Sequence, residues 1–177
     1  MAEFNNFANP KVETKRFKLY ANVGTKETPI WELQGRGVES WSIENNEDIT
    51  KTTDVLGYVD IERGTSQPTQ TGVSVKLRKG SKLAELLFDA WYTGDKSKLD
   101  AVSFLQKFEF AKAPADETDS LCLARLEEDV MLGINTFTGE AGGYLGFEID
   151  IHYANKTTLG FMQIEDGDEI VFETEII

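Results

Sequence analysis

Residues 71–92, TGVSVKLRKGSKLAELLFDAWY, change from one hydrophobic period to another. Val73, Val75 and Leu77 alternate with other residues, which is the period of a half-buried β-strand. After Ser81 the apolar residues recur at i, i+3, i+4, i+7 and i+8, as on one face of an α-helix (Leu83, Leu86, Leu87, Ala90 and Trp91). Ser81 is a suitable N-cap and Gly94 a suitable stop, so this stretch predicts a strand followed by a helix of about three turns.

On both sides of this stretch, short β-branched or aromatic segments are separated by Gly, Asn and Asp. Strands are predicted at residues 15–22, 31–33, 38–44, 58–62, 71–77, 104–110, 121–127, 130–137, 144–152, 157–164 and 169–175. The pattern favours a mainly β protein, an antiparallel β-sandwich or half-barrel with one flanking α-helix. Residues 1–14 lack a hydrophobic period and are predicted to be a flexible N-terminal arm, and residues 15–177 a single domain.

The 177 residues include 31 acidic and 18 basic side chains, which gives a formal net charge of −13. Residues 1–90 hold 13 acidic and 12 basic side chains, whereas residues 91–177 hold 18 and 6. Such a chain is poorly suited to grip nucleic acid phosphates or anionic lipids, because both need clustered Lys and Arg. No apolar run approaches the roughly 18 residues of a membrane span and no secretory signal is evident, so no membrane anchor is expected.

Residues that commonly carry catalysis or bind metals are scarce. His152 is the single histidine and is expected to be a surface or packing residue at the end of a strand. Cys122, the single cysteine, lies between two leucines and is expected to be a small core residue. The acidic stretch at 165–169 lacks the residue order of a calcium-binding loop. We therefore expect no catalytic residues, no metal, no cofactor and no enzymatic activity.

Two features suit contacts between protein copies. Residues 45–54 are charged and rich in Thr, and they are long enough to form the end of a projecting hairpin. In the strand predicted at 58–62, apolar and acidic residues alternate. Val59 and Ile61 are expected to face the core, and Asp60 and Glu62 lie on the other side. Arms, hairpins and open sheet edges are common elements of protein assemblies.

The order of these segments resembles that of the major tail tube proteins of long-tailed bacteriophages. The similarity covers nearly the whole chain and is carried by RFKLY at 16–20, WELQGRGVESWSIE at 31–44, TDVLGY at 53–58, the strand and helix of 71–92, and FEIDIHY at 147–153. The resemblance implies a β-sandwich flanked by a helix, in hexameric rings whose sheets join into one inner β-barrel. The rings stack into a tube that conducts double-stranded DNA. The implied partners are a tape measure protein, a tail terminator and tail tip proteins, in a virion tail assembled in the host cytoplasm.

The resemblance also suggests site residues. The candidates for facing the lumen of the tube are Glu44, Asp60, Glu62, Glu148 and Asp150. The alternative is that such carboxylates lie on the outer surface and serve solubility. The candidates for ring stacking lie on the hairpin and among the basic residues that would offset repulsion between acidic rings, namely Glu47, Asp48, Lys51, Asp54, Arg63, Arg78 and Lys79. An acidic lumen would repel phosphates, so DNA would slide through without specific binding.

Other interpretations fit the same sequence. The tube proteins of contractile phage tails, tail-like bacteriocins and type VI secretion are similar in fold to the family named above. A protein of another class, a carbohydrate-binding β-sandwich module, would use an exposed Trp as a sugar platform. Trp41 and Trp91 lie on the apolar sides of their elements and are expected in the core, which leaves Trp31 without a predicted place.

Overall fold

A computed structural model describes residues 3–4, 13–34, 42–114, 120–139, 141, 143–164 and 170–174. The strands in these ranges are β1 (Glu3–Phe4), β2 (Phe17–Asn22), β3 (Trp31–Gln34), β4 (Glu47–Thr53), β5 (Val59–Ser66), β6 (Thr69–Lys76), β7 (Val102–Lys112), β8 (Leu121–Gly139), β9 (Leu145–His152) and β10 (Lys156–Gln163). One α-helix, α1 (Lys82–Thr93), follows β6, and two short 3₁₀ turns span Thr14–Arg16 and Ser97–Leu99. All strand pairs in the described residues are antiparallel, which confirms the predicted mainly β fold with one flanking helix.

The long strand β8 connects two parts of one sheet. Its first half lies between β7 and β10 in the order β3-β2-β7-β8-β10, and its second half pairs with β9, which pairs in turn with β6. Asp129 has a φ of 56° between these halves, and Asn155 has a φ of 57° between β9 and β10. Such left-handed residues let a ladder bend without ending it. The strands predicted at 121–127 and 130–137 are therefore a single strand, which corrects that part of the sequence prediction.

The main core lies between the two parts of the sheet and α1. Ala21 and Phe104 come from the first part, Val75 and Ile149 from the second, and α1 adds further buried residues (Leu83, Ala84, Leu87 and Ala90). Complete burial of one such leucine contributes about 1.5 to 3 kcal/mol to folding. The Ser81 Oγ accepts a hydrogen bond from the Ala84 N–H at 3.3 Å, and Gly94 ends the helix with a φ of 75°. Both predicted helix ends are confirmed.

A second apolar cluster lies on the opposite face of the first part of the sheet. It contains Cys122, and Trp31 packs against it half-buried. Burial raises the pKa of the Cys122 thiol to about 11, so the thiol stays protonated and behaves as the predicted small core residue. The buried Lys107 Nζ donates a hydrogen bond to the Ile164 carbonyl at 3.0 Å beside this cluster. Trp31 is thus largely committed to packing inside the chain.

Some predicted segments lie outside the described residues. These are most of the N-terminal arm, most of the strand at 38–44 with Trp41, and the acidic stretch at 165–169. Within the arm, Glu3–Phe4 pairs with the end of β7. Within the strand predicted at 169–175, Glu173 makes an isolated bridge to Phe161.

Candidate assembly surfaces

β4 and β5 form a hairpin that stands apart from the main sheet. The two strands pair only with each other in the described part of the chain, and all their residues except Ser66 are exposed. The root is fastened to the body, because Glu44 and Thr69 exchange two backbone hydrogen bonds of 2.8 and 2.9 Å. The Asn46 Nδ2 also donates to the Thr69 Oγ1 at 2.8 Å. The predicted projecting hairpin is confirmed, and it is longer than the sequence pattern indicated.

The strand register of the hairpin places basic residues on one face and acidic residues on the other. Directly paired residues share a face, and the pairs Thr53 with Val59, Lys51 with Ile61 and Ile49 with Arg63 define what we call the basic face. The pairs Thr52 with Asp60 and Thr50 with Glu62 define the acidic face. Val59 and Ile61 are exposed to 56% and 64%. The prediction that these two residues face the core is wrong, because no layer of the described chain covers the hairpin.

The hairpin tip, residues 54–58, is a hydrogen-bonded turn with exposed apolar side chains. The Asp54 Oδ1 accepts hydrogen bonds from the N–H groups of Leu56 at 2.8 Å and Tyr58 at 2.9 Å, and Gly57 takes a φ of 86°. Val55 is exposed to 102%, Leu56 to 78% and Tyr58 to 69%. Three large apolar side chains are thus presented to solvent on a turn of fixed shape. The Asp54 carboxylate, a predicted stacking residue, holds this turn in place.

The second part of the main sheet, β6-β9-β8, has one buried face and one polar face. Along β9, Phe147, Ile149 and Ile151 face the core, and the residues between them lie on the polar face (Glu148, Asp150 and His152). Hydrogen bonds from the Asn135 side chain and from the Gly72 N–H, the latter at 2.9 Å, hold the pKa of the Asp150 carboxyl below its ordinary value. Asp150 is therefore charged at neutral pH.

The structure separates the five carboxylates predicted to share a lumen wall into two groups. Glu148 and Asp150 lie together on the polar face of β9, and Glu44 lies exposed at the edge of the same sheet, beside Thr69 of β6. Asp60 and Glu62 lie on the acidic face of the hairpin. Their placement on the strand at 58–62 is confirmed, but that strand is not part of the main sheet.

The predicted stacking residues also fall into two places. Glu47, Asp48, Lys51, Asp54 and Arg63 lie on the hairpin, where the Arg63 Nε is 3.4 Å from the Glu47 Oε2. Arg78 and Lys79 lie in the loop between β6 and α1, and the Arg78 guanidinium stacks over the Tyr144 ring at 5.6 Å from its centroid. No ion pair is found for Lys51, Asp60, Glu62, Arg78 or Lys79 within the described residues.

A groove, here called the α1 groove, runs between this loop and the helix. It has a volume of about 260 Å³ and is lined by Leu77, Arg78, Lys79, Ala84, Glu85 and Phe88. Glu85 is already paired with Lys82, whose Nζ lies 2.7 Å from the Glu85 Oε2. The uncompensated charge around the α1 groove is therefore positive, in a protein with a strongly negative net charge.

The outer side of α1 carries three aromatic residues, of which Trp91 was predicted to lie in the core. Trp91 packs on Phe137 with ring centroids 4.7 Å apart, yet it is exposed to 45%. Phe88 and Tyr92 stack at 6.0 Å beside it and are also exposed. The prediction for Trp91 is thus correct for one side of the ring and wrong for the other.

Glu32 is a structural residue that sequence analysis missed. Its carboxylate accepts hydrogen bonds from the Ser81 Oγ at 2.7 Å and from the N–H groups of Lys82 at 2.6 Å and Leu83 at 3.0 Å. A carboxylate at this position satisfies free N–H groups and complements the helix dipole. It fastens α1 to β3 across a large sequence separation, for which the local sequence gives no signal.

Neither metal-binding clusters of His, Cys, Asp and Glu nor helices long and apolar enough to cross a membrane occur among the described residues. The features with clear chemical character in this part of the chain are thus surfaces, namely the two hairpin faces, the tip, the α1 groove and the polar face of β6-β9-β8.

Comparison with known proteins identifies the fold. Neither a protein-family model nor a curated protein matches the sequence. A chain of the PVC sheath–tube complex in its extended state, from an extracellular contractile injection system, aligns with a TM-score of 0.50 and 13% identity over 88% of this chain and 94% of that chain. A chain of the PVC sheath/tube terminator aligns with a TM-score of 0.51 and 14% identity over 86% and 99%. The protein thus has a tail-tube-like fold.

Proposed function

We propose that this protein is a structural tube subunit of a phage-tail-like particle, which forms hexameric rings that stack into a tube. The observation that carries this proposal is the β4–β5 hairpin. The basic face of this exposed two-stranded hairpin also carries apolar residues, Val59 and Ile61 among them, and such a hairpin has little to stabilise it in isolation. Contacts with another copy would bury that side, and a tail-tube-like fold gives the copies a geometry in which such contacts repeat.

The likeness to two chains of a contractile injection system favours a tube of the contractile type. The resemblance to the tube proteins of long, non-contractile phage tails rests on segment order in the sequence. The two alternatives differ in one partner, because a contractile particle surrounds its tube with a sheath. A sheath subunit is therefore added to the expected partners, which are a tape measure protein, a terminator and tip proteins.

The lumen is proposed to be lined by the polar face of β6-β9-β8, with Glu148 and Asp150 as its carboxylates. The other side of this sheet is already buried in the core, so the polar face can form a barrel wall while the core stays covered. Rings of six carboxylates would repel nucleic acid phosphates within a Debye length of roughly 8 to 10 Å. Double-stranded DNA would then pass without specific binding. Glu44, at the edge of the same sheet, would extend the acidic lining.

The proposed role needs no catalysis, cofactor or metal, and the protein acts as a wall and a binding surface. Its place is the tail of a virion or a tail-like particle, following assembly in the producing cell. A carbohydrate-binding module would instead remain monomeric and bind sugar through an exposed aromatic residue such as Trp91.

Negative-stain electron microscopy of the purified full chain, combined with sedimentation velocity, tests the proposed function. Rings or tubes of one uniform width are expected, with fast-sedimenting species that increase with protein concentration. Mixing with a sheath protein from the same particle should decorate a contractile-type tube. A protein that stays monomeric at every concentration would contradict the proposal.

A further inference from the structure

The hairpin tip and the α1 groove are complementary in shape and polarity. The tip presents Val55 and Leu56 almost fully to solvent, so neither fills the groove of its own chain. Three of the six residues that line the α1 groove are apolar (Leu77, Ala84 and Phe88), and its volume is about 260 Å³. Since an apolar cavity of about 150 Å³ can hold a benzene molecule, the groove has room for an aliphatic side chain of the tip.

The charges around these two surfaces are also complementary. The acidic face carries Asp60 and Glu62 just behind the tip, and Arg78 and Lys79 border the groove. None of these four side chains has an ion-pair partner in the described part of the chain. Two surfaces of one protein thus carry opposite unpaired charges around an apolar projection and an apolar recess.

The turn at the tip is hydrogen-bonded within one chain. Two N–H groups donate to the Asp54 carboxylate, and Gly57 takes a left-handed conformation. A binding element that is already in its bound shape loses less conformational entropy on association. This favours the tip as a recognition element.

We propose that the hairpin tip of one copy inserts into the α1 groove of a second copy, with Asp60 and Glu62 facing Arg78 and Lys79. This inference rests on the proposed function and names the surface that receives the hairpin. The two surfaces are different and each copy carries both, so the contact is heterologous, and a bound pair still offers one free tip and one free groove. Such a contact propagates from ring to ring without closing on itself.

Paired cysteines test the contact in the assembled full chain. Val55→Cys on the tip and Glu85→Cys at the groove border alter exposed side chains, and the native Cys122 is buried and does not react. Oxidation, or a short bismaleimide, should link the double variant into a ladder of multimers on a denaturing gel. Each single variant should stay monomeric on that gel. A matched control pair, Val55→Cys with Leu159→Cys on β10, should give no ladder.

Charge reversal supplies a second measurement. Arg78→Glu should reduce tube formation about tenfold at a fixed protein concentration, and adding Glu62→Arg should restore most of it. Tubes that form without a cysteine ladder, or without rescue by the second charge reversal, would overturn the tip-to-groove contact and leave the proposed function standing. Failure of the wild-type chain to form tubes would overturn the proposed function itself.

Discussion

The β4–β5 hairpin and the β6-β9-β8 sheet share an alternating sequence pattern, but the apolar residues of the sheet are buried and those of the hairpin are exposed. In the sheet, Phe147 and Ile149 are buried beneath α1 and the first part of the main sheet. In the hairpin, Val59 and Ile61 occupy equivalent alternating positions and are exposed. Alternation therefore shows only that a strand has two chemically different sides. What covers the apolar side depends on the rest of the chain, and for the hairpin we propose that it is another copy.

The largest expected difference between the two regions is in folding stability. Phe147→Ala leaves a cavity in the main core and should lower the free energy of unfolding by about 3 to 5 kcal/mol. Ile61→Ala, its counterpart on the hairpin, should change that free energy by no more than about 0.5 kcal/mol in the monomer. Urea denaturation of both variants at low protein concentration measures the two values. Equal losses would show that the hairpin belongs to the folding core.

The attachment of α1 to the sheet should give the next largest effect. Glu32→Gln removes the charge that accepts hydrogen bonds from the first turn of the helix, at a cost of about 1 to 3 kcal/mol. Glu85 lies on the same helix, and its carboxylate pairs with the exposed Lys82. Glu85→Gln should therefore cost less than about 0.5 kcal/mol. Thermal denaturation of the two variants compares them. A Glu32→Gln protein as stable as wild type would disprove the capping role.

A smaller, pH-dependent effect is expected on the polar face of β9. The Asp150 pKa is lowered in the folded chain, so its charged form stabilises the fold above the ordinary Asp pKa of about 4, and this contribution disappears as the pH falls through the lowered value. Asp150→Asn should cost about 1 kcal/mol at pH 7 and progressively less in acid. Asp60→Asn on the exposed hairpin is the control, and it should cost less than about 0.5 kcal/mol at pH 7. Unfolding curves at several pH values measure this loss of unfolding free energy. A loss that stays constant between pH 7 and acid would contradict the stabilising role of the charged Asp150.

The smallest effect on folding should accompany a large effect on assembly. Lys51→Glu reverses a charge on the basic face of the hairpin and should leave the unfolding free energy within about 0.5 kcal/mol of wild type. Tube growth should nevertheless be impaired, because this face is proposed to contact a neighbour. Lys96→Glu, an identical charge change at an exposed position beyond α1, should leave tube growth intact. Normal tubes from the Lys51→Glu variant would contradict the role of this face.

The features that the sequence predicted correctly are those set by local patterns. The period of 3.6 residues and the cap at Ser81 lie within a few positions of one another, and they define α1 almost to the residue. The Glu32 carboxylate binds the same helix start from a distant strand. No local pattern reports such a contact, so it could not be predicted.

The candidate surfaces could be predicted only where they lie on a single strand, because local patterns do not report which strands pair. The position of Glu148 between Phe147 and Ile149 correctly indicates an exposed polar face, because all three lie on one strand. Grouping Asp60 with Glu148 required knowledge of which strands pair, and β5 pairs with β4 alone in the described residues. The apolar tip was not predicted either. The sequence does not show whether another part of the chain covers Leu56, and the structure shows that it is exposed.

The hairpin is proposed to drive assembly of a body that folds without it. The most direct test replaces residues 48–65 with a short Gly-Ser link and compares this variant with wild type by negative-stain microscopy and sedimentation velocity. We expect tubes for wild type and, for the variant, a monomer with almost unchanged thermal stability. Tubes formed by the variant would show that the hairpin is not needed for assembly.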